Sequence, residues 1–235
     1  MTFLANAIRG VILGRAEVTR LPTLRRPAVL FSRAQPADCL YFIESGLVKL
    51  TRTNDEGGRI ILEICGAGDV MGEECLFADE PVYYADAEVL NTASIARIPK
   101  DLFARTAITQ SDLTRAFFAY LLERRKALAE KVELLCLRGV EHRILVYLAE
   151  LSGLVKESTD GGGFQLPLTQ LELADLIGAT RETTSTTLNQ LERRGLIKLS
   201  RRLVTVPSPA LLRDAANGIT ASNNGDSRPE LRPSE

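Results

Sequence analysis

Histidine is nearly absent from this chain, which has only His142 among 235 residues. A small β-barrel enzyme of the cupin kind, working through a histidine-ligated metal, therefore lacks its ligands. Cysteine is also scarce. Cys39, Cys65, Cys75 and Cys136 are scattered, without the two-residue spacings that zinc and iron–sulfur sites use, so inert or buried thiols are expected and no metal. No apolar run approaches the roughly 20 residues of a membrane span. Residues Phe3 to Leu13 are mildly amphipathic but have neither a signal-peptide core nor a cleavage site, so a cytoplasmic protein is expected. Basic charge is not in excess either, with a formal net charge of -1. A nucleic-acid binder needs positive charge only on its docking surface, however. Between Ala179 and Leu203 that condition holds: Arg181, Arg193, Arg194, Lys198, Arg201 and Arg202 face only Glu182 and Glu192.

The 45% apolar and 25% charged composition is that of an ordinary soluble protein, and the length suits two domains. From about Pro27 to Arg97 short β segments alternate with glycine turns. Leu40–Glu44, Leu47–Arg52 and Ile60–Ile64 are predicted strands, and Asn54 to Gly58 supplies a hairpin reversal. Gly72-Glu73-Glu74-Cys75-Leu76-Phe77 is predicted to form one helical turn before a strand resumes at Tyr84 to Val89, a ligand-facing interruption of a barrel. From Ser111 apolar residues recur every three or four positions, as Leu113, Phe117, Tyr120, Leu121, Leu128, Val132 and Leu135. That spacing predicts a helix of about 27 residues, roughly 40 Å long. Such a helix commonly pairs with a copy of itself; the alternative is packing wholly on its own domain. A further helix is expected over Glu141–Leu151, then a polar loop over Lys156–Gly163.

Residues Leu168 to Pro207 carry the most specific local pattern. Thr169-Gln170-Leu171-Glu172 is a capping box that opens a helix with Leu171, Ala174, Leu176 and Ile177 on its inner face. Gly178 permits a sharp turn, Thr180 caps a second helix with Leu188 and Leu191 inward, and Gly195 stops it. Leu196 to Val206 then reads as a two-stranded wing. In a winged helix-turn-helix the second helix enters the major groove. Arg181, Glu182, Ser185 and Thr186 are candidate base contacts, because a guanidinium matches guanine O6 and N7 and a carboxylate accepts from cytosine N4. Thr169, Thr180, Thr183, Gln190, Arg201 and Arg202 are candidate phosphate contacts. The alternative is a winged helix whose basic helix binds protein.

Three segments in this order resemble the CRP/FNR family of bacterial regulators: Tyr41-Phe42-Ile43-Glu44-Ser45-Gly46, Gly68-Asp69-Val70-Met71-Gly72-Glu73 and Ile177-Gly178-Ala179-Thr180-Arg181-Glu182-Thr183. The resemblance covers roughly residues 20 to 208. It implies an α+β protein: an N-terminal double-stranded β-helix (the cyclic-nucleotide-binding-like β-roll), a long dimerisation helix and a C-terminal winged helix-turn-helix. The expected divisions are a sensor at 1–110, the helix at 111–138, the DNA-binding domain at 139–210 and a disordered tail at 211–235. The resemblance further implies a homodimer joined through Phe117, Leu121, Leu128, Val132 and Leu135. Its expected operator is near-palindromic duplex DNA with half-sites ~34 Å apart. RNA polymerase is an expected partner, touched partly through the Lys156–Gly163 loop.

Departures from the family pattern narrow the effector. Where cyclic-AMP-responsive members carry an arginine–serine pair for the cyclic phosphate, this chain has Tyr83 and Tyr84, and Leu128 and Ala129 replace the threonine–serine pair that contacts adenine. Without the arginine a charge-assisted contact is lost, so cyclic AMP is not expected as effector or cofactor. Gly72, Glu73, Glu74, Cys75, Tyr83, Tyr84 and Leu128 would line an occluded or apolar effector pocket. Neither the cysteine cluster of oxygen-sensing members nor the histidine of haem-binding members is present, and His142 is expected to be structural. Thr186 stands where many members have a second arginine. The competing readings are a cyclic-nucleotide-binding module and a redox switch at Cys75.

Overall fold

The computed structural model describes residues 3–76, 80–158 and 162–224, and the chain divides into two compact units between Cys136 and Leu137. In chain order the first contains α1 (Phe3–Val11), β1 (Thr19–Arg20), β2 (Val29–Phe31), β3 (Cys39–Ser45), β4 (Val48–Thr53), β5 (Arg59–Cys65), β6 (Val70–Met71), a single 3-10 turn at Glu73–Leu76, β7 (Asp86–Val89), β8 (Ser94–Pro99), α2 (Lys100–Thr109) and α3 (Ser111–Leu137). Two antiparallel four-stranded sheets, ordered β1-β8-β3-β6 and β2-β7-β4-β5, make the β-roll. The second unit contains α4 (Val140–Leu151), β9 (Phe164–Leu166), α5 (Gln170–Ile177), α6 (Arg181–Arg193), β10 (Lys198–Ser200), β11 (Leu203–Val206) and α7 (Pro209–Asn224). Its sheet is ordered β10-β11-β9, so the expected two-stranded wing gains a third strand.

The partial alternation of the β-roll strands has a physical cause. Strand β3 buries five successive residues because both of its faces are covered; on one of them Arg9 of α1 lies 5.5 Å from the Phe42 ring. In β4, Val48, Lys49, Leu50 and Thr51 are all buried, and the Lys49 ammonium is matched by Glu88 at 3.1 Å. A buried charge costs several kcal/mol unless paired, so Lys49 and Glu88 belong in this core only together.

The long helix has the predicted extent of 27 residues. Leu113, Ala116, Phe117 and Tyr120 are buried in the β-roll core, with Phe117 edge-on to Phe103 of α2 at 4.9 Å. Most of α3 therefore packs as part of the first unit. Residues from 211 were expected to lie outside the fold, whereas α7 runs to Asn224 and packs on α4. Leu212 and Ala216, four residues apart, are its buried stripe, hidden within a polar composition. The expected tail beyond 224 lies outside the described residues.

Candidate nucleic-acid interface and sensor pocket

Each end of the helix-turn-helix is fixed by local chemistry. Thr169 Oγ1 accepts from the Glu172 amide at 3.1 Å, while the Glu172 carboxylate accepts from the Thr169 amide at 3.0 Å. Gly178 takes φ 61°, a left-handed conformation that glycine adopts without steric cost, and closes α5. Arg143 of α4 donates to the Ile177 carbonyl at 2.6 Å, satisfying a helix-end acceptor. Thr180 then accepts from the Thr183 amide at 3.2 Å and starts α6.

Helix α6 has two distinct sides. Thr184, Thr187, Leu188 and Leu191 face inward. The two inward threonines are satisfied locally: their hydroxyls donate to the Thr180 and Thr183 carbonyls, each at 2.8 Å. On the outer side Arg181, Glu182, Thr183, Thr186, Asn189, Gln190 and Arg193 are exposed and Ser185 is half-buried. Among the described residues neither the Arg181 guanidinium nor the Glu182 carboxylate has a partner, which leaves both ready to meet one. The expected base-contact residues Arg181, Glu182, Ser185 and Thr186 thus share one side of a helix whose first turn also offers its free amide groups.

The expected phosphate contacts divide into two groups. Arg201 and Arg202 are exposed at the tip of the β10–β11 hairpin, where Arg202 takes φ 60°. Thr180, Thr183 and Gln190 are exposed on or beside α6, with the two threonine hydroxyls 2.9 Å apart. Thr169 differs, because its hydroxyl also donates to Glu172 Oε2 at 2.9 Å and is committed to the cap. Asn189 escaped the sequence reading, although its helical phase with Glu182 places it on the outer side, where Arg193, counted among the basic residues of the docking surface, also lies.

The sensor segment is more closed than an open ligand site. Gly72 takes φ +81°, and a Cβ there would lie 2.9 Å from the Cys39 carbonyl and 3.0 Å from the Tyr83 ring. Tyr83 is 3% exposed, stacked on Phe31 at 4.0 Å, and its hydroxyl donates to the Cys39 carbonyl at 3.1 Å. Burial, reinforced by Cys39, raises its phenol pKa far above the ordinary range. Tyr84 is partly exposed, and its amide donates to Glu74 at 3.1 Å. Cys75 is buried, and that burial pushes its thiol up to about 12, which keeps it protonated at neutral pH. Leu128 is 57% exposed on α3 and does not close an apolar pocket within the chain. Phe77 falls outside the described residues.

Glu73 is held by a residue that the sequence reading overlooked. Arg124 of α3 lies 3.2 Å from Glu73, pairs with Glu63 of β5, and donates to the Val70 carbonyl at 2.9 Å. Its helical phase with Leu113, Phe117 and Tyr120 was the available signal, because a charge on an inward face requires partners. Lys131, two turns on, donates to the Ile61 and Leu62 carbonyls at 2.7 and 3.0 Å. A cavity of about 450 Å³ borders this network, lined by Asp69, Tyr120 and Arg124 together with Phe3, Leu4 and Ala119.

The expected dimer residues separate by phase. Phe117 is 5% exposed inside its own core and Leu121 packs partly against that core, so Phe117 is withdrawn as an interface residue. Leu128 and Val132 are exposed and Leu135 is half-buried. Phe118 and Leu122, not anticipated, are among the most exposed large apolar residues.

Comparison with known proteins agrees with this geometry. Residues 22–110 match the cyclic nucleotide-binding domain and residues 142–215 the Crp-like helix-turn-helix domain. The anaerobic regulatory protein of Bacillus subtilis (strain 168) is 29% identical over 177 residues, covering 75% of this chain and 74% of its own. The chain belongs to the CRP/FNR family. Another relative, the cAMP-activated global transcriptional regulator CRP of Escherichia coli O6:H1, is 27% identical, covering 76% of this chain and 85% of its own. Among solved structures, a CRP-family transcriptional regulator of Thermus thermophilus has 25% identity and a TM-score of 0.71, covering 84% of this chain and 97% of its own. FixK2 of Bradyrhizobium japonicum shares the fold, with 21% identity, a TM-score of 0.72, and coverage of 84% and 96%. As a CRP/FNR member the chain is a DNA-binding transcription regulator and not an enzyme. Among the described residues no helix is long and apolar enough to cross a membrane.

Proposed function

We propose that this CRP/FNR regulator binds a near-palindromic operator as a homodimer, reads each half-site from the N-terminal end of α6, and does so without cyclic AMP. The observation that carries the DNA reading is the outer side of α6, where Arg181 and Glu182, without partners among the described residues, stand at a capped helix start opposite the buried face. Arg181 donates to guanine O6 and N7, Glu182 accepts from cytosine N4, and Arg201 and Arg202 hold phosphates. Dimerisation is supported by Phe118, Leu122, Ala129 and Val132, exposed residues whose spacing of four, seven and three keeps one face of α3. Leu128, also exposed, flanks that face.

Tyr83 supports the exclusion of cyclic AMP. A buried, stacked phenol stands where a cyclic phosphate would need a cationic donor, and Arg124 is already neutralised by Glu63 and Glu73. The effector is another small ligand or none. RNA polymerase is the proposed further partner, touched partly through the loop at 156–163, of which residues 159–161 lie outside the described residues.

Selection from random duplexes, with sedimentation of the free protein, tests this reading. The expected result is a dimer that selects two inverted half-sites about 10 base pairs apart, centre to centre. A monomer that selects no sequence would overturn it.

A further inference from the structure

Helix α6 carries a third polar side chain on the line through Glu182. Residues seven apart on an α-helix are separated by two turns and nearly superimpose in projection, so Asn189 lies directly below Glu182, about 10 Å along the axis. The burial pattern fixes what this line faces. Thr184, Thr187, Leu188 and Leu191 hold the opposite side against the domain, while Glu182, Thr186, Asn189 and Arg193 are exposed. Among the described residues the Asn189 amide has no hydrogen-bond partner.

Resting on the reading of α6 as the helix that enters the groove, we propose that Asn189 is a further specificity-determining residue that reads an adenine. Its position in the helix supplies reach, since 10 Å along the axis corresponds to about three base-pair steps of 3.4 Å. The chemistry selects the base. A carboxamide presents one donor and one acceptor side by side, and adenine N7 and N6 present the matching acceptor and donor in the major groove. The neighbouring side chains cannot impose that choice: Ser185 and Thr186 have hydroxyls that pair with any base edge. Arg193, at the C-terminal end of the helix, suits a phosphate. The half-site should therefore contain an A·T pair about three positions from the pair read by Glu182.

The proposal is tested by selecting operators from random duplexes with the full-length protein, Asn189→Ala, Asn189→Asp and Arg181→Ala, followed by titration of single-base variants. Asn189 is exposed, so both of its variants should fold, as melting curves would verify. The expected result is that Asn189→Ala loses an adenine preference of about ten- to a hundredfold at one position and keeps the others. Asn189→Asp, which can only accept, should shift that position toward cytosine. A uniform loss of affinity across all sequences with Asn189→Ala would make Asn189 a phosphate contact and overturn the proposal. So would an unchanged selection. If the unaltered protein and Arg181→Ala both select nothing, the reading of α6 itself fails, a result distinct from the failure of Asn189.

Discussion

Arg124 on the long helix lies 3.2 Å from Glu73 on the 3-10 turn, and this pair ties α3 to the segment where the family places its effector. Glu63 and the Val70 carbonyl complete the site around a guanidinium that is only 13% exposed. The helix and the sensor segment thus share a buried charge, which makes their separation costly.

Removing Arg124 leaves Glu63 and Glu73 without their cation. Arg124→Met is therefore expected to cost about 3 kcal/mol, measured by urea denaturation of the purified protein. A loss below about 1 kcal/mol would give this network only the strength of a surface pair.

The two sides of α3 should respond in opposite ways. Phe117→Ala opens a cavity against Phe103 and is expected to destabilise the fold by about 3 to 5 kcal/mol. Leu122→Glu alters an exposed residue; it should leave melting nearly unchanged at high dilution while shifting sedimentation from dimer to monomer. A variant that remains dimeric would remove this face from the proposed interface.

Thr169 separates capping from DNA contact. Its hydroxyl is committed to Glu172, so Thr169→Ala should lower stability by about 1 kcal/mol and barely change operator affinity. A large affinity loss without a stability change would restore Thr169 as a phosphate ligand.

His142 gives a pH signature. Burial, and next the Arg138 guanidinium, lower its pKa below 6.5 against a backbone hydrogen bond to Ala216 that raises it. As pH falls the unfolded chain takes up this proton first, so the stability is complete above about 6.5 and declines from there toward the folded value. His142→Gln should flatten that part of the melting-temperature profile, and identical profiles for the two proteins would contradict the assignment.

The sequence made the helix-turn-helix legible because its signals are local. The Thr169–Glu172 capping box, Gly178 and the Thr180 cap each act within four residues. The β-roll was recognised by its glycine turns, but its strands alternate poorly because Lys49 is buried through Glu88, a partner 39 positions away. The partition of α3 into inner and outer faces depended on distant strands, so Phe117 and Phe118 could not be told apart by spacing alone. Arg124 was missed for the same reason, since its partners Glu63 and Glu73 come from other elements. In α7, Leu212 and Ala216 are the buried residues, among those described, that mark a helix owing its place to α4.

The proposed direct reading of DNA by α6 rests above all on Arg181. Fluorescence anisotropy with a selected operator and a scrambled duplex, titrated across salt concentration, should show two different losses. Arg181→Ala is predicted to weaken operator binding by about 1 to 3 kcal/mol and to reduce discrimination, whereas Arg201→Ala weakens both duplexes about equally and lowers the salt slope by about 1. Equal losses on both duplexes from Arg181→Ala would contradict direct reading of the operator by α6.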